Sequence, residues 1–77
     1  MKLKEGIHYA EFLKACASCD GEVLFTTREG DVLNLKSQLS RYVFAALTPD
    51  ADFIRSGEVA AKDEDDLRGL MSFLVEE

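Results

Sequence analysis

Few residues of this chain carry side chains suited to chemistry, and they fall in four places. Cys16 and Cys19 form a Cys-x-x-Cys pair, a spacing used for zinc and for thiol–disulfide exchange. Zinc sites usually need four ligands, and the chain offers no second cysteine pair and one histidine, His8. A redox pair gains its low thiol pKa at a helix N-terminus. Here the pair falls at the C-terminal end of a predicted helix, where the dipole acts the other way. Cys16 therefore reads as a small buried apolar residue. The run Asp63-Glu64-Asp65-Asp66 could gather a cation. Four carboxyls at a helix start also match the dipole of a solvated first turn, and no metal is expected. His8 stands just before a predicted helix. Ser37 stands where a strand gives way to a helix, so its hydroxyl can cap free backbone N–H groups. Those N–H groups would equally favour a phosphate attached to it.

The elements that position these residues follow from hydrophobic periodicity. Tyr9, Phe12, Leu13, Cys16 and Ala17 share one face of a helix over 9–19, ended by Asp20-Gly21. Glu22–Thr27 and Val32–Lys36 read as two strands joined at Gly30, which can take the positive φ of a short hairpin loop. Val23, Phe25, Leu33 and Leu35 point to one face, while Asn34 and Lys36 point to the other. A helix runs from about Ser37 to Leu47 and stops at Thr48-Pro49, because the residue before proline avoids helical angles. Pro49 is expected to open a short turn of helix through Ile54. Glu58–Ala61 reads as a short strand. Leu67, Leu70, Met71 and Leu74 follow the i, i+3, i+4, i+7 rule and predict a helix over 63–76, with Asp63 as its cap. Met1–Lys4 reads as a strand stub.

The helix after Ser37 is apolar on two sides. Leu39, Tyr42 and Ala46 line one, and Val43, Phe44 and Leu47 line the next. That exceeds the ~100° stripe of an ordinary surface helix. Either Phe53 and Ile54 fold over the second side, or Leu39 and Tyr42 form an exposed patch.

Seventy-seven residues make one domain, spanning 1–77, which buries roughly 60% of the surface its unfolded chain exposes. It is 47% hydrophobic and 31% charged, which is globular rather than disordered. Fifteen acidic against nine basic residues give a net charge of −6. With no Lys/Arg cluster, neither nucleic acid nor an anionic membrane is expected as a partner. A protein partner with a basic face fits better. No apolar run approaches a membrane span and no signal peptide is recognisable, so a cytoplasmic location is expected. No phosphate-cradling glycine loop or nucleophile–base pair stands out, so neither an enzyme nor a cofactor is expected.

The order (β)αββαβα predicts an α+β open-faced sandwich, an antiparallel sheet with its helices on one face. Phe12, Leu13, Phe25, Leu35, Val43, Leu70 and Leu74 are its expected common core. That order resembles the HPr fold of histidine-containing phosphocarriers in the bacterial phosphotransferase system. The likeness is densest at Phe12–Ser18, which resembles the family's first helix, and at Glu22–Ser37, which resembles its hairpin and the Asn-Leu-Lys-Ser that follows. Gly6-Ile7-His8 is similar to the tripeptide carrying the family's phosphorylated histidine. The resemblance covers about two-thirds of the chain. It implies His8 as candidate phosphoacceptor, Ser37 as candidate regulatory phosphosite, and Leu39 and Tyr42 as candidate partner-binding residues beside it. Three departures count against phosphocarrier activity. Tyr9-Ala10-Glu11 replaces the family's Ala-Arg-Pro, so the arginine that would balance a phosphoryl group is missing. A deletion of about two residues separates His8 from the matching helix, and the segment Pro49–Ser56 is an addition. A contact domain is the first expectation, a working phosphocarrier on His8 the second, and an accessory regulatory domain the third.

Overall fold

The structure, a computed structural model, describes residues 1–76. In chain order it contains β1 (Lys2–Leu3), α1 (Tyr9–Ala17), β2 (Val23–Thr26), β3 (Val32–Asn34), α2 (Gln38–Leu47), α3 (Ala51–Ser56), β4 (Glu58–Ala61) and α4 (Glu64–Leu70). A 3-10 turn, Met71–Phe73, then leads into β5 (Leu74–Val75). This is a small α+β domain with four helices and two antiparallel sheets among the described residues.

The larger sheet has the order β3-β2-β4, and β1 pairs with β5 in the smaller one. Val59 N donates to Met1 O at 2.7 Å, which brings the start of β1 alongside β4 and joins the two sheets. Strand alternation explains the layering. Phe25 lies opposite both Leu33 and Val59, and Val23 opposite Ala61, so these side chains share one face. Val23, Phe25 and Val59 are buried, whereas Glu58, Ala60 and Val32 on the opposite face are exposed. The loop between β2 and β3 is tied by Thr27. Its Oγ1 accepts from Asp31 N at 3.1 Å and Glu29 N at 3.3 Å, and Gly30 takes the expected positive φ of 92°.

The core is aromatic. Phe44 of α2 meets Phe25 edge-on at 5.1 Å between ring centroids, with Phe12 at 5.8 Å and Tyr9 at 6.1 Å. Phe73 meets Phe12 at 5.6 Å from the other side. Leu3, Cys16, Leu35, Ile54, Leu70 and Leu74 complete the buried set.

Five expectations need correction. The strands form not one antiparallel sheet but two, because β1 takes β5 as its ladder partner and the chain bonds to the β4 backbone, among the described residues, only at Met1 just before β1. Val43 is not in the core: it is 42% exposed, and Phe44 takes the buried position one residue on. Leu13 is only half-buried at the edge of the cluster. The last helix ends at Leu70, and Leu74 reaches the core from a strand paired with Leu3. Pro49 does not open α3. Asp50 caps it instead, accepting from Phe53 N at 3.1 Å. Gly69 lies inside α4, and a Cβ there would meet nothing within 4 Å. Its cost of about 1 kcal/mol relative to alanine is thus not imposed by packing. Among the described residues no helix is long and apolar enough to cross a membrane.

Candidate functional site

The Asn34-Leu35-Lys36-Ser37 corner uses every one of its side chains. Asn34 Oδ1 accepts from Lys36 N at 3.0 Å, and Ser37 N donates to Asn34 O at 2.9 Å, which turns the chain out of β3. Leu35 is fully buried and anchors the turn. Lys36 does not point into solvent as its strand position predicts. Its ammonium reaches the end of α1, donating to Ala17 O at 3.1 Å and to Cys19 O. There it satisfies orphan carbonyls and complements the negative end of the dipole. Arg41, one turn into α2, donates to Leu35 O at 3.2 Å and Lys36 O at 3.0 Å.

Ser37 occupies the N-cap of α2 in extended backbone geometry, and its Oγ accepts from Ser40 N at 3.5 Å. That bond is long, so the cap is at the weak end of its range. Beyond it, α2 leaves an apolar face uncovered. Leu39 is 72% exposed and Tyr42 is 65% exposed. Gln38 Nε2 donates to the Tyr42 hydroxyl at 3.2 Å along the helix surface. The added segment does not close over this face: Ile54 is buried in the core and Phe53 half-buried beside the hairpin.

Between hairpin and helices lies a groove of about 400 Å3, which no local sequence pattern announced. Leu33 of β3, Val43 and Leu47 of α2, and Phe53 of α3 form its apolar walls, with Val32 at the strand edge and Thr27, Glu29 and Asp31 at the hairpin end. Leu39, Val43 and Leu47 recur every fourth residue, so the exposed face and the groove run along one side of α2.

His8 is the exposed N-cap residue of α1, and its imidazole makes no capping hydrogen bond. Its carbonyl accepts from Phe12 N at 3.1 Å. Glu11, also exposed, stands in the same first turn. Ser37, Leu39 and Tyr42 thus come together on one helix start, while His8 begins another.

Burial, reinforced by neighbouring Cys19, pushes the Cys16 thiol up to about 12. Burial and then Asp66 raise Cys19 as well. Both thiols are protonated near neutrality, which fits packing rather than redox work. The acidic run is only partly a solvated first turn. Asp63 caps α4 through Asp65 N at 2.8 Å. Asp66 turns back to accept from Gly21 N at 2.7 Å and Asp20 N at 3.1 Å, tying α4 to the end of α1. These N–H donors hold its carboxyl below the usual aspartate value. Among the described residues no cluster of His, Cys, Asp or Glu is placed to hold a metal ion.

No protein-family model matches the chain, and neither the curated proteins nor the solved structures compared with it gave a match.

Proposed function

We propose that the chain is a divergent HPr-like domain that works through protein–protein contacts on the α2 face, without efficient phosphocarrier activity. The observation that carries this is the exposure of Leu39 and Tyr42 side by side on a helix whose other side is locked into the core. Tyrosine is favoured where interfaces concentrate binding energy, because it offers a large apolar surface with a polar tip. The Asn-Leu-Lys-Ser corner supports the reading by fixing the start of α2 with several hydrogen bonds, so the face is presented on a rigid element. The element order from β1 to α4 is compatible with the HPr fold, while α3 and β5 stand as additions to it. In this reading Ser37 is the regulatory phosphosite. A phosphate there would sit beside Leu39 and add charge at the rim of the contact face.

The test is site-specific photo-crosslinking in the cells that make the protein, with a photoreactive phenylalanine analogue at Tyr42 or, as control, at Ala60 on the open sheet face. A discrete protein adduct from Tyr42 and none from Ala60 is expected. No adduct at either position, or equal adducts at both, would remove the reading.

A second reading, phosphoryl transfer through His8, draws on that side chain's exposure and freedom from capping. Against it stand the missing arginine and Glu11 within one turn, whose charge opposes a phosphoryl group. Incubation with the bacterial phosphotransferase enzyme and phosphoenolpyruvate is expected to leave the mass unchanged. A rapid, acid-labile gain of one phosphoryl group, lost in His8→Ala, would promote this second reading over the first.

A further inference from the structure

We infer that the groove between the hairpin end, α2 and α3 receives a peptide segment of the partner protein, with a bulky apolar side chain flanked by lysine or arginine. This rests on the docking reading above and names what that face recognises.

Leu33, Val43, Leu47 and Phe53 line the groove with apolar side chains and Val32 borders it at the strand edge, so an apolar group suits the space between them. The volume of about 400 Å3 falls within the range of natural ligand clefts. Val43 is 42% exposed in the free chain and would gain burial when the groove fills. Phe53 is braced in advance: the Arg28 guanidinium lies 5.0 Å from its ring centroid, a cation–π contact that holds one wall.

The rim gives the sign of the flanking charge. Glu29 and Asp31 border the groove, both are exposed, and neither forms an ion pair among the described residues. Arg28 offsets part of that charge locally, but the chain as a whole carries −6 and extends the same field. A second copy of the chain is the wrong occupant, since it would bring a further −6 against the same rim. Phe53 comes from the segment 49–56, which the HPr resemblance does not contain. The groove would therefore recognise something particular to this chain.

The test uses the full isotope-labelled chain and three short synthetic peptides followed by amide shifts. One has a central tryptophan between paired lysines, one has glutamates for the lysines, and one has alanine for the tryptophan. The lysine–tryptophan peptide is expected to shift the amides of Val32, Leu33, Val43 and Leu47, and to bind about tenfold more tightly than either counterpart at low salt. Glu29→Lys combined with Asp31→Lys should abolish the preference for lysine flanks, and Val43→Asp should abolish the shifts. Both variants change exposed positions, and thermal melting confirms that they fold. Equal binding of the three peptides, or shifts confined to residues outside the groove, would overturn the inference. If these peptides fail while Tyr42 still cross-links a partner, the groove inference falls and the docking reading stands. If Tyr42 cross-links nothing, the docking reading falls first.

Discussion

Phe44→Ala is expected to cost about 3–5 kcal/mol in chemical denaturation, the range for truncating a core aromatic. The ring is fully buried and touches Tyr9, Phe12 and Phe25, so it joins α1, α2 and the sheet at one point. A small domain has only about 5–15 kcal/mol in all, so the variant should lie close to unfolding. Val43→Ala, one residue earlier on the exposed side of α2, should cost less than about 1 kcal/mol. The pair of measurements reads the rotation of α2 directly. Equal losses would mean that the helix is turned and that Leu39 and Tyr42 are not where the docking reading needs them.

Gly57→Ala is expected to be disruptive for a different reason. Its φ of −79° is ordinary for any residue, so backbone strain plays no part. A Cβ at this position would press into Phe25 Cζ, lie 2.6 Å from Phe25 Cε1 and lie 2.9 Å from Thr26 O. Phe25 is fully buried, and the ring of Phe44 packs edge-on against it. It has little room to yield, and overpacking of this kind costs about 1–3 kcal/mol or more. Phe25→Leu removes the obstructing ring edge. The double variant with Gly57→Ala should therefore lose less than the sum of the two single changes. Strict additivity in such a cycle would show that the clash is relieved elsewhere. Gly57 thus does structural work that its sequence neighbourhood, Ser56-Gly57, announces only as the end of a turn.

Much of the frame was legible because it depends on local period. The alternation of Val23, Phe25 and Leu35 gave the buried face of the hairpin, with Leu33 half-buried at its edge, and the spacing of Phe12 and Cys16 gave that of α1. Ser37 and Asp63 were legible as caps from side-chain type and position alone. The phase of α2 was not. Leu39, Tyr42, Val43, Phe44 and Leu47 satisfy two adjacent faces, and the choice is made by rings arriving from other elements. The end of α4 failed for a similar reason. Leu74 keeps helical spacing with Leu67 and Leu70, but antiparallel pairing with Leu3, remote in sequence, draws it into a strand. Pro49 failed because Asp50 offers α3 a capping carboxylate one residue later. The groove was invisible because its walls come from three separate segments and only the tertiary fold brings them together.

The account turns on whether the exposed face of α2 is for binding. Its most direct measurement is the Tyr42→Ala variant, scored for retention of the partner that Tyr42 cross-links and, in the same preparation, for unfolding free energy. The expected result is loss of the partner, at least about tenfold in affinity, with stability within about 1 kcal/mol of the unsubstituted chain. Undiminished retention of the partner would contradict the account. So would a loss of about 3–5 kcal/mol, which would place Tyr42 in the core.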